Sequence, residues 1–258
     1  MRYVIPSLVR AIDVLDLLGQ HKKGLSLADL DRMTDIPKST LFRILVTLNA
    51  HHCVQLDEET NTSKLGSKLW ELGSHFVGQS DIYHLAGVHM RALASATEET
   101  VFLGIMEGGS VVYMRRMESS KSVTIVKTLG QRVPAHSTAT GVAMMAFLPP
   151  AEVDRMIETN GLVAVNEATM TDPDALRRRL SDVRERGVAV VDGEYNRELL
   201  CISAPVFDHT NRPVASLTIA LLAGSAEQLR IDELAGMVRD AARTLSSELG
   251  HRESIASS

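Results

Sequence analysis

Lys38, Ser39, Thr40, Arg43 and Thr47 lie on one side of a segment whose other side, Leu41, Ile44, Leu45 and Leu48, is apolar at helical spacing. Cations and short hydroxyl side chains at the N-terminal half of a helix suit one chemistry in particular. They reach phosphates and base edges when that half enters the major groove of DNA. The preceding residues supply a partner helix. Ser26 is placed to cap it by accepting a bond from a free backbone N–H, and Leu27, Leu30 and Met33 form its apolar stripe. Thr34, Asp35 and Ile36 make a three-residue turn. Pro37 opens the second helix, where a missing N–H does no harm. The pattern predicts a helix-turn-helix. A helical hairpin inside an ordinary globular domain would show the same local spacing.

The flanks favour the DNA reading. Leu8, Ala11, Ile12, Val14, Leu15 and Leu18 define an upstream amphipathic helix beginning near Ser7. Downstream, Val54 and Leu56 alternate as in a strand, Asp57–Ser63 forms a polar turn, and Lys64 and Leu65 begin a return strand. Three helices and a hairpin make a winged helix-turn-helix, with Thr60–Lys64 as the wing. The candidate DNA contacts are therefore Ser26, Lys38, Ser39, Thr40, Arg43, Thr47 and Lys64. Gly66–Val77 reads as one further helix with Leu69, Trp70, Leu72 and Phe76 as its apolar positions, and Trp70 as a packing anchor. The expected boundaries are 1–65 for the DNA-binding domain, 66–79 for a linker helix and 80–258 for a second domain.

Charge limits how such a protein can hold DNA. The chain carries a net charge of −5. Residues 1–78 contain nine Lys/Arg and nine Asp/Glu, and residues 79–258 contain 18 and 23. No domain is strongly basic, so specific binding calls for oligomerisation that sums weak half-site contacts, as a homodimer or dimer of dimers. No apolar run approaches the roughly 20 residues of a membrane helix, and the N-terminus shows no signal-peptide pattern, so a cytoplasmic location with no membrane partner is expected. Cys53 and Cys201 fall in different domains, which argues against a disulfide framework. No Cys/His cluster has zinc-ligand spacing, and no metal or cofactor is expected.

The second domain reads as α+β. A helix over Ile82–Thr97 is followed by strands at Val101–Met106, Val111–Met117 and Val123–Thr128. A helix over Ala135–Phe147 stops at Pro149-Pro150. Helices near Ala151–Thr159 and Pro173–Arg186 precede strands at Val188–Asp192, Leu199–Val206 and Val214–Leu222. Glu227–Leu249 closes the domain as a helix with Leu234, Met237, Val238, Ala241 and Leu245 inward. Hairpin connections point to a mostly antiparallel sheet with flanking helices.

Over nearly its whole length the chain resembles the IclR family of bacterial transcriptional regulators. The matching segments are SLVRAIDVLDLLG, LADLDRMTDIPKSTLFRILVTL, KLGSKLWELG, LGQRVPAHSTATGVAMMAFLP, ERGVAVVDGEYNRELLCISAPVFD and RPVASLTIA, in order. The resemblance implies an N-terminal winged helix-turn-helix, a GAF-like C-terminal domain that binds a small-molecule effector, and dimers or dimers of dimers. It also implies an effector pocket at Ser122, Ile125, Val133, Ala139, Thr140, Cys201, Thr218 and Ala220. Apart from the resemblance, Asp192-Gly193-Glu194 reads as a strand-end turn, with a second role for Asp192 at the pocket rim. One position departs from the family pattern: Val142 stands where a Lys is common, after Ala139-Thr140-Gly141.

The implied pocket makes chemical sense. Small residues opening the Ala-rich helix leave backbone N–H groups accessible to a carboxylate, so a small organic acid is the expected effector. Thr218 and Cys201 would sit on neighbouring inward strand positions, and Ile125 and Val133 would supply an apolar wall. The same small residues would also serve as core filling between sheet and helix. A hydrolase-like reading, with Cys201 as nucleophile, His136 as base and Asp192 as orienter, lacks support from spacing. Cys201 lies in an apolar strand run with no glycine-rich elbow, where a cysteine is usually a small hydrophobe.

Overall fold

The computed structural model describes residues 3–57, 59–118, 129–225 and 227–252. The chain divides into two compact units, Met1–Ser80 and Asp81–Ser258.

In the first unit, α1 (Pro6–Gln20), α2 (Leu27–Met33) and α3 (Lys38–Ala50) enclose a core of Val14, Leu18, Leu30, Leu41, Ile44 and Leu45. Helix α2 begins with a reciprocal cap. The Ser26 hydroxyl accepts from the Asp29 amide at 3.1 Å, and the Asp29 carboxylate accepts from the Ser26 amide at 3.0 Å. Two otherwise unpaired donors are thereby satisfied. The Asp29 carboxyl is held below its ordinary range, chiefly by its hydrogen bonds from Ser26 and then by Arg32. The wing strands β2 (Val54–Asp57) and β3 (Thr62–Leu65) pair antiparallel, and β3 also pairs with a two-residue strand, β1 (Leu25–Ser26), which the sequence pattern did not suggest.

Three details depart from the sequence expectation. Leu8 and Ile12 on α1, and Met33 on α2, are exposed rather than part of the stripe that packs inward. The return strand of the wing starts at Thr62, because Asn61 adopts a left-handed conformation (φ 52°) that closes the turn two residues early. Helix α4 (Ser67–Gly78) buries no residue, and Trp70 is 81% exposed, so it is not a packing anchor of its own unit.

In the second unit a six-stranded antiparallel sheet is ordered β6–β5–β4–β9–β8–β7. Its strands are β4 (Thr100–Glu107), β5 (Ser110–Met117), β6 (Arg132–Pro134), β7 (Ala189–Asp192), β8 (Leu199–Phe207) and β9 (Pro213–Leu222). One face, with Val101, Leu103, Ile202, Leu217 and Ile219, packs on α5 (Asp81–Thr97) and α9 (Gln228–Glu248). The other, with Phe102, Tyr113, Cys201 and Ala220, packs on α6 (Ala139–Met145), α7 (Pro150–Asn160) and α8 (Pro173–Arg186). Burial on both faces explains why β8 and β9 read as continuous apolar runs. The strand expected at Val123–Thr128 lies outside the described residues.

The single helix expected over Ala135–Phe147 is interrupted. Ala135–Ser137 form a 3-10 turn, Thr138 is extended, and α6 starts at Ala139 with the Thr138 hydroxyl accepting from the Gly141 amide at 3.1 Å. Gly141 is required here, because a Cβ would lie 2.2 Å from the Ala135 carbonyl oxygen. Gly104 has a matching role on β4, where a Cβ would meet the Thr140 methyl at 2.6 Å. These two glycines bring the start of α6 onto the sheet.

Candidate functional site

Two regions carry the candidate chemistry, one in each unit. On α3, Leu41, Ile44 and Leu45 are buried, and Lys38, Ser39, Arg43 and Thr47 are exposed, with Thr40 half-buried. The Thr47 hydroxyl donates to the Arg43 carbonyl at 2.8 Å, which leaves its oxygen facing outward as an acceptor. Lys38 and Arg43 form no ion pair with a described carboxylate, so both cations remain available to a polyanion. Lys64 on β3 lies 3.6 Å from Asp57 and is the wing's cation. Ser26 is committed instead: its hydroxyl both accepts from the Asp29 amide and donates to the Asp29 carboxylate. The same outer face of α3 presents Phe42, 58% exposed, and Val46, 45% exposed. The sequence pattern named the buried stripe and the polar residues of α3 and left these two unassigned. Their offset of one position from Leu41 and Leu45 was the available signal. Apolar side chains on a recognition helix can read thymine methyl groups.

In the second unit, strand register decides which candidates share a face. Cys201 pairs with Val191 on one side and Ala220 on the other, and Thr218 pairs with Ser203 and Phe102. Cys201, Ala220, Thr218 and Val133 therefore share the face covered by α6. Beside Cys201 and Ala139 lies a small cavity of about 20 Å³, also lined by Ser137, Thr138, Glu194 and Tyr195. Of the expected pocket residues, Ala139 and Cys201 reach it.

The others are placed elsewhere. Thr140 and Thr218 are buried and share a 2.7 Å hydrogen bond. Thr218 continues to Ser203 at 2.8 Å, and Ser203 to Ser216, giving a chain of hydroxyls inside the core. Val133 and Ala220 fill the same core. Asp192 pairs with Leu200 and so projects toward the opposite face from Cys201, because side chains alternate along a strand. Ser122 and Ile125 lie outside the described residues. Val142, at the position that departs from the family pattern, is fully buried among aliphatic side chains.

The acid at the cavity is Glu194, from the segment Asp192-Gly193-Glu194 that the sequence suggests as a strand-end turn at the pocket rim. Its side chain is 9% exposed and accepts from Arg179 at 2.5 Å and from the Met170 amide at 3.3 Å. Thr169 and Asn166 tie the same segment down by donating to the Glu194 and Gly193 carbonyls at 2.7 and 2.9 Å. The amides of Ala139 and Thr140 donate to no described acceptor. Of the two residues Ala139 lines the cavity, so its amide is the polar donor that the interrupted helix offers there.

His136 is buried and its ring hydrogen-bonds the Val163 carbonyl through Nε2 at 3.1 Å. Its pKa is pushed below the ordinary histidine value by burial, against the opposing pull of Val163 and Glu194. The ring donates through Nε2 to this carbonyl, so that nitrogen is committed. With Asp192 on the other face of the sheet, the nucleophile–base–orienter arrangement does not form.

Both units have matches among known proteins. Residues 7–58 match the IclR helix-turn-helix domain, and residues 74–247 match the bacterial transcriptional regulator IclR C-terminal domain. The transcriptional regulator XynR of Escherichia coli is 30% identical over 96% of this chain and 98% of its own. BhcR of Paracoccus denitrificans is 30% identical over 96% of this chain and 89% of its own. The crystal structure of an IclR regulator from Alicyclobacillus acidocaldarius superposes with a TM-score of 0.84 at 26% identity, covering 96% of this chain and all of that one. These relatives are regulators rather than enzymes, and no helix among the described residues is long and apolar enough to cross a membrane. With a DNA-reading helix-turn-helix in its first unit and a ligand-binding domain in its second, the chain belongs to the IclR family of bacterial transcriptional regulators.

Proposed function

We propose that the operator affinity of this regulator is set by a small organic acid bound in the C-terminal unit, and that the working species is a cytoplasmic homodimer or dimer of dimers. The observation that carries the reading is the cavity at the start of α6, where small side chains, the Cys201 thiol and the first residue of the helix, Ala139, meet. The acid's carboxylate goes to the start of α6 at Ala139, and the Glu194 carboxylate that shares the cavity is neutralised by Arg179. A cavity of about 20 Å³ holds roughly one water, so the effector widens it as it binds. That widening biases the packing of the unit between two states, and coupling to DNA of about 1–3 kcal/mol changes operator affinity by roughly 5–150-fold. Binding by α3 and the wing alone is weak in a near-neutral unit. A dimer recognises a pseudo-palindrome with half-sites about 34 Å apart, or a multiple of that.

A thermal-shift screen of small carboxylates on the full chain identifies the effector class, since a ligand of the folded state raises its stability. Ala139→Val then narrows the cavity without touching α3. The variant should bind operator normally and lose its response to the acid. A folded variant that responds with unchanged affinity places the effector elsewhere. Arg43→Ala should weaken operator binding by roughly 1–3 kcal/mol if it reads a guanine, and relax specificity at one position of each half-site. Unchanged affinity and salt slope would reject α3 as the recognition helix.

A further inference from the structure

A larger concavity lies at the C-terminal end of α8, apart from the cavity beside Cys201. It measures about 410 Å³, and Arg184, Arg186, Arg239 and Arg243 line it. Volumes of several hundred Å³ are typical of small-molecule sites, whereas the cavity beside Cys201 is far smaller. Among the described residues Glu185 and Asp240 are the lining carboxylates, and Asp240 lies 3.9 Å from Arg243. The arginines sit within residues 79–258, which are otherwise acidic, with 18 Lys/Arg against 23 Asp/Glu.

Helix capping accounts for part of this cluster. Arg239 donates to the Arg186 carbonyl at 3.1 Å, and Arg184 donates to the Ala146 and Leu148 carbonyls at 2.6 and 3.1 Å. These contacts answer the unpaired carbonyls at two helix ends. A helix C-terminus carries roughly half a negative charge, which one arginine satisfies. Arg184, Arg186 and Arg239 have no described carboxylate within ion-pair distance, so their charge is left over. Opposite them stands an apolar wall. Phe207 meets Phe147 edge-on at 5.1 Å and stacks on His251 at 5.0 Å. The Nδ1 of His251 is buried without a hydrogen-bond partner. The floor is firm, since the Phe207 amide donates to the Ser246 hydroxyl at 2.9 Å and the His251 amide to the Ser246 carbonyl at 3.0 Å.

We infer that this concavity is a second ligand site, which takes a small multiply charged anion on its arginines. Planar guanidinium groups suit carboxylate and phosphate equally, because each can accept two parallel N–H bonds. The shared chemistry is a compact polyanion with its charge at the arginines and any flat or apolar part against Phe207. An acidic protein surface is disfavoured by the concave shape and the aromatic wall.

Citrate and pyrophosphate, titrated separately into the full chain by calorimetry, distinguish the two anion chemistries. At least one should saturate in the millimolar range or below. Arg186→Gln and Arg243→Gln, both at exposed side chains, should each weaken it by about tenfold, the effect of one charge-assisted hydrogen bond. Ala139→Val should leave the titration unchanged. The inference fails if neither anion saturates by about 10 mM. It also fails if the arginine variants bind as the parent does, or if Ala139→Val alone abolishes binding. Loss of oligomer mass in Arg186→Gln, with no anion binding by the parent, would assign the cluster to a protein interface and overturn it.

Discussion

Thr140 and Thr218 decide between two uses of the same face, and replacing each by valine tests which is real. Valine keeps the shape and removes the hydroxyl. Thr140 is fully buried and has the Thr218 hydroxyl at 2.7 Å as its described partner. Thr218 also bonds Ser203, and Ser203 keeps Ser216 and the Leu217 carbonyl. Thr218→Val therefore orphans one buried hydroxyl completely, at a cost of about 1–3 kcal/mol. Thr140→Val leaves Thr218 with Ser203 and should cost about 0.5–1.5 kcal/mol. In the double variant the orphan is gone, so its cost should be no greater than that of Thr218→Val alone. Scanning calorimetry of the full chain reads these as shifts of roughly 2–4 °C per kcal/mol in the C-terminal transition. Effector affinity should change little, since neither hydroxyl reaches the cavity. Costs that add within about 0.5 kcal/mol would refute the hydroxyl chain. A tenfold loss of effector affinity without loss of stability would return both residues to the pocket.

Phe42→Ala should weaken operator binding at sites carrying a thymine methyl and leave the salt slope unchanged, whereas Lys38→Ala should reduce that slope by about 0.9 if it touches one phosphate; a gel-shift series across salt concentrations measures both. Burial depresses the His136 pKa, so the unfolded chain binds this proton more readily than the folded one. Its contribution is present above the ordinary histidine pKa near 6.5 and is lost as pH falls through the depressed folded value. Melting temperature should thus fall from pH 7 to pH 5, and fall less in His136→Asn; equal slopes would contradict the assignment. Trp70→Ala should leave the monomer fold intact, because the side chain is 81% exposed, and should weaken self-association in sedimentation experiments. Unaltered association would show that α4 takes no part in self-association.

The sequence alone determined most of the local structure, because periodicity is a local property. The stripe Leu41, Ile44, Leu45 and Leu48 on α3, the Ser26 cap, and the hairpin at Glu107–Ser110 depend on residues within one turn of helix or one strand pair. The family segments likewise carried the two-unit organisation and the regulatory role. What tertiary structure decided is which side chain meets which. The outward placement of Phe42 and Val46 depended on what the other helices cover. The pairing of Asp192 with Leu200 removed it from the cavity face, and no run of residues 188–201 announces that register. Thr140 and Thr218 are 78 positions apart and became hydrogen-bond partners through the close approach permitted by Gly104. Glu194 became the buried acid because Arg179 on α8 neutralises it there. The arginine concavity is the clearest case, gathered from the ends of α8 and α9 and from β8. Periodicity fixes the face of an element, whereas a site is a coincidence of faces, and only packing brings those faces together.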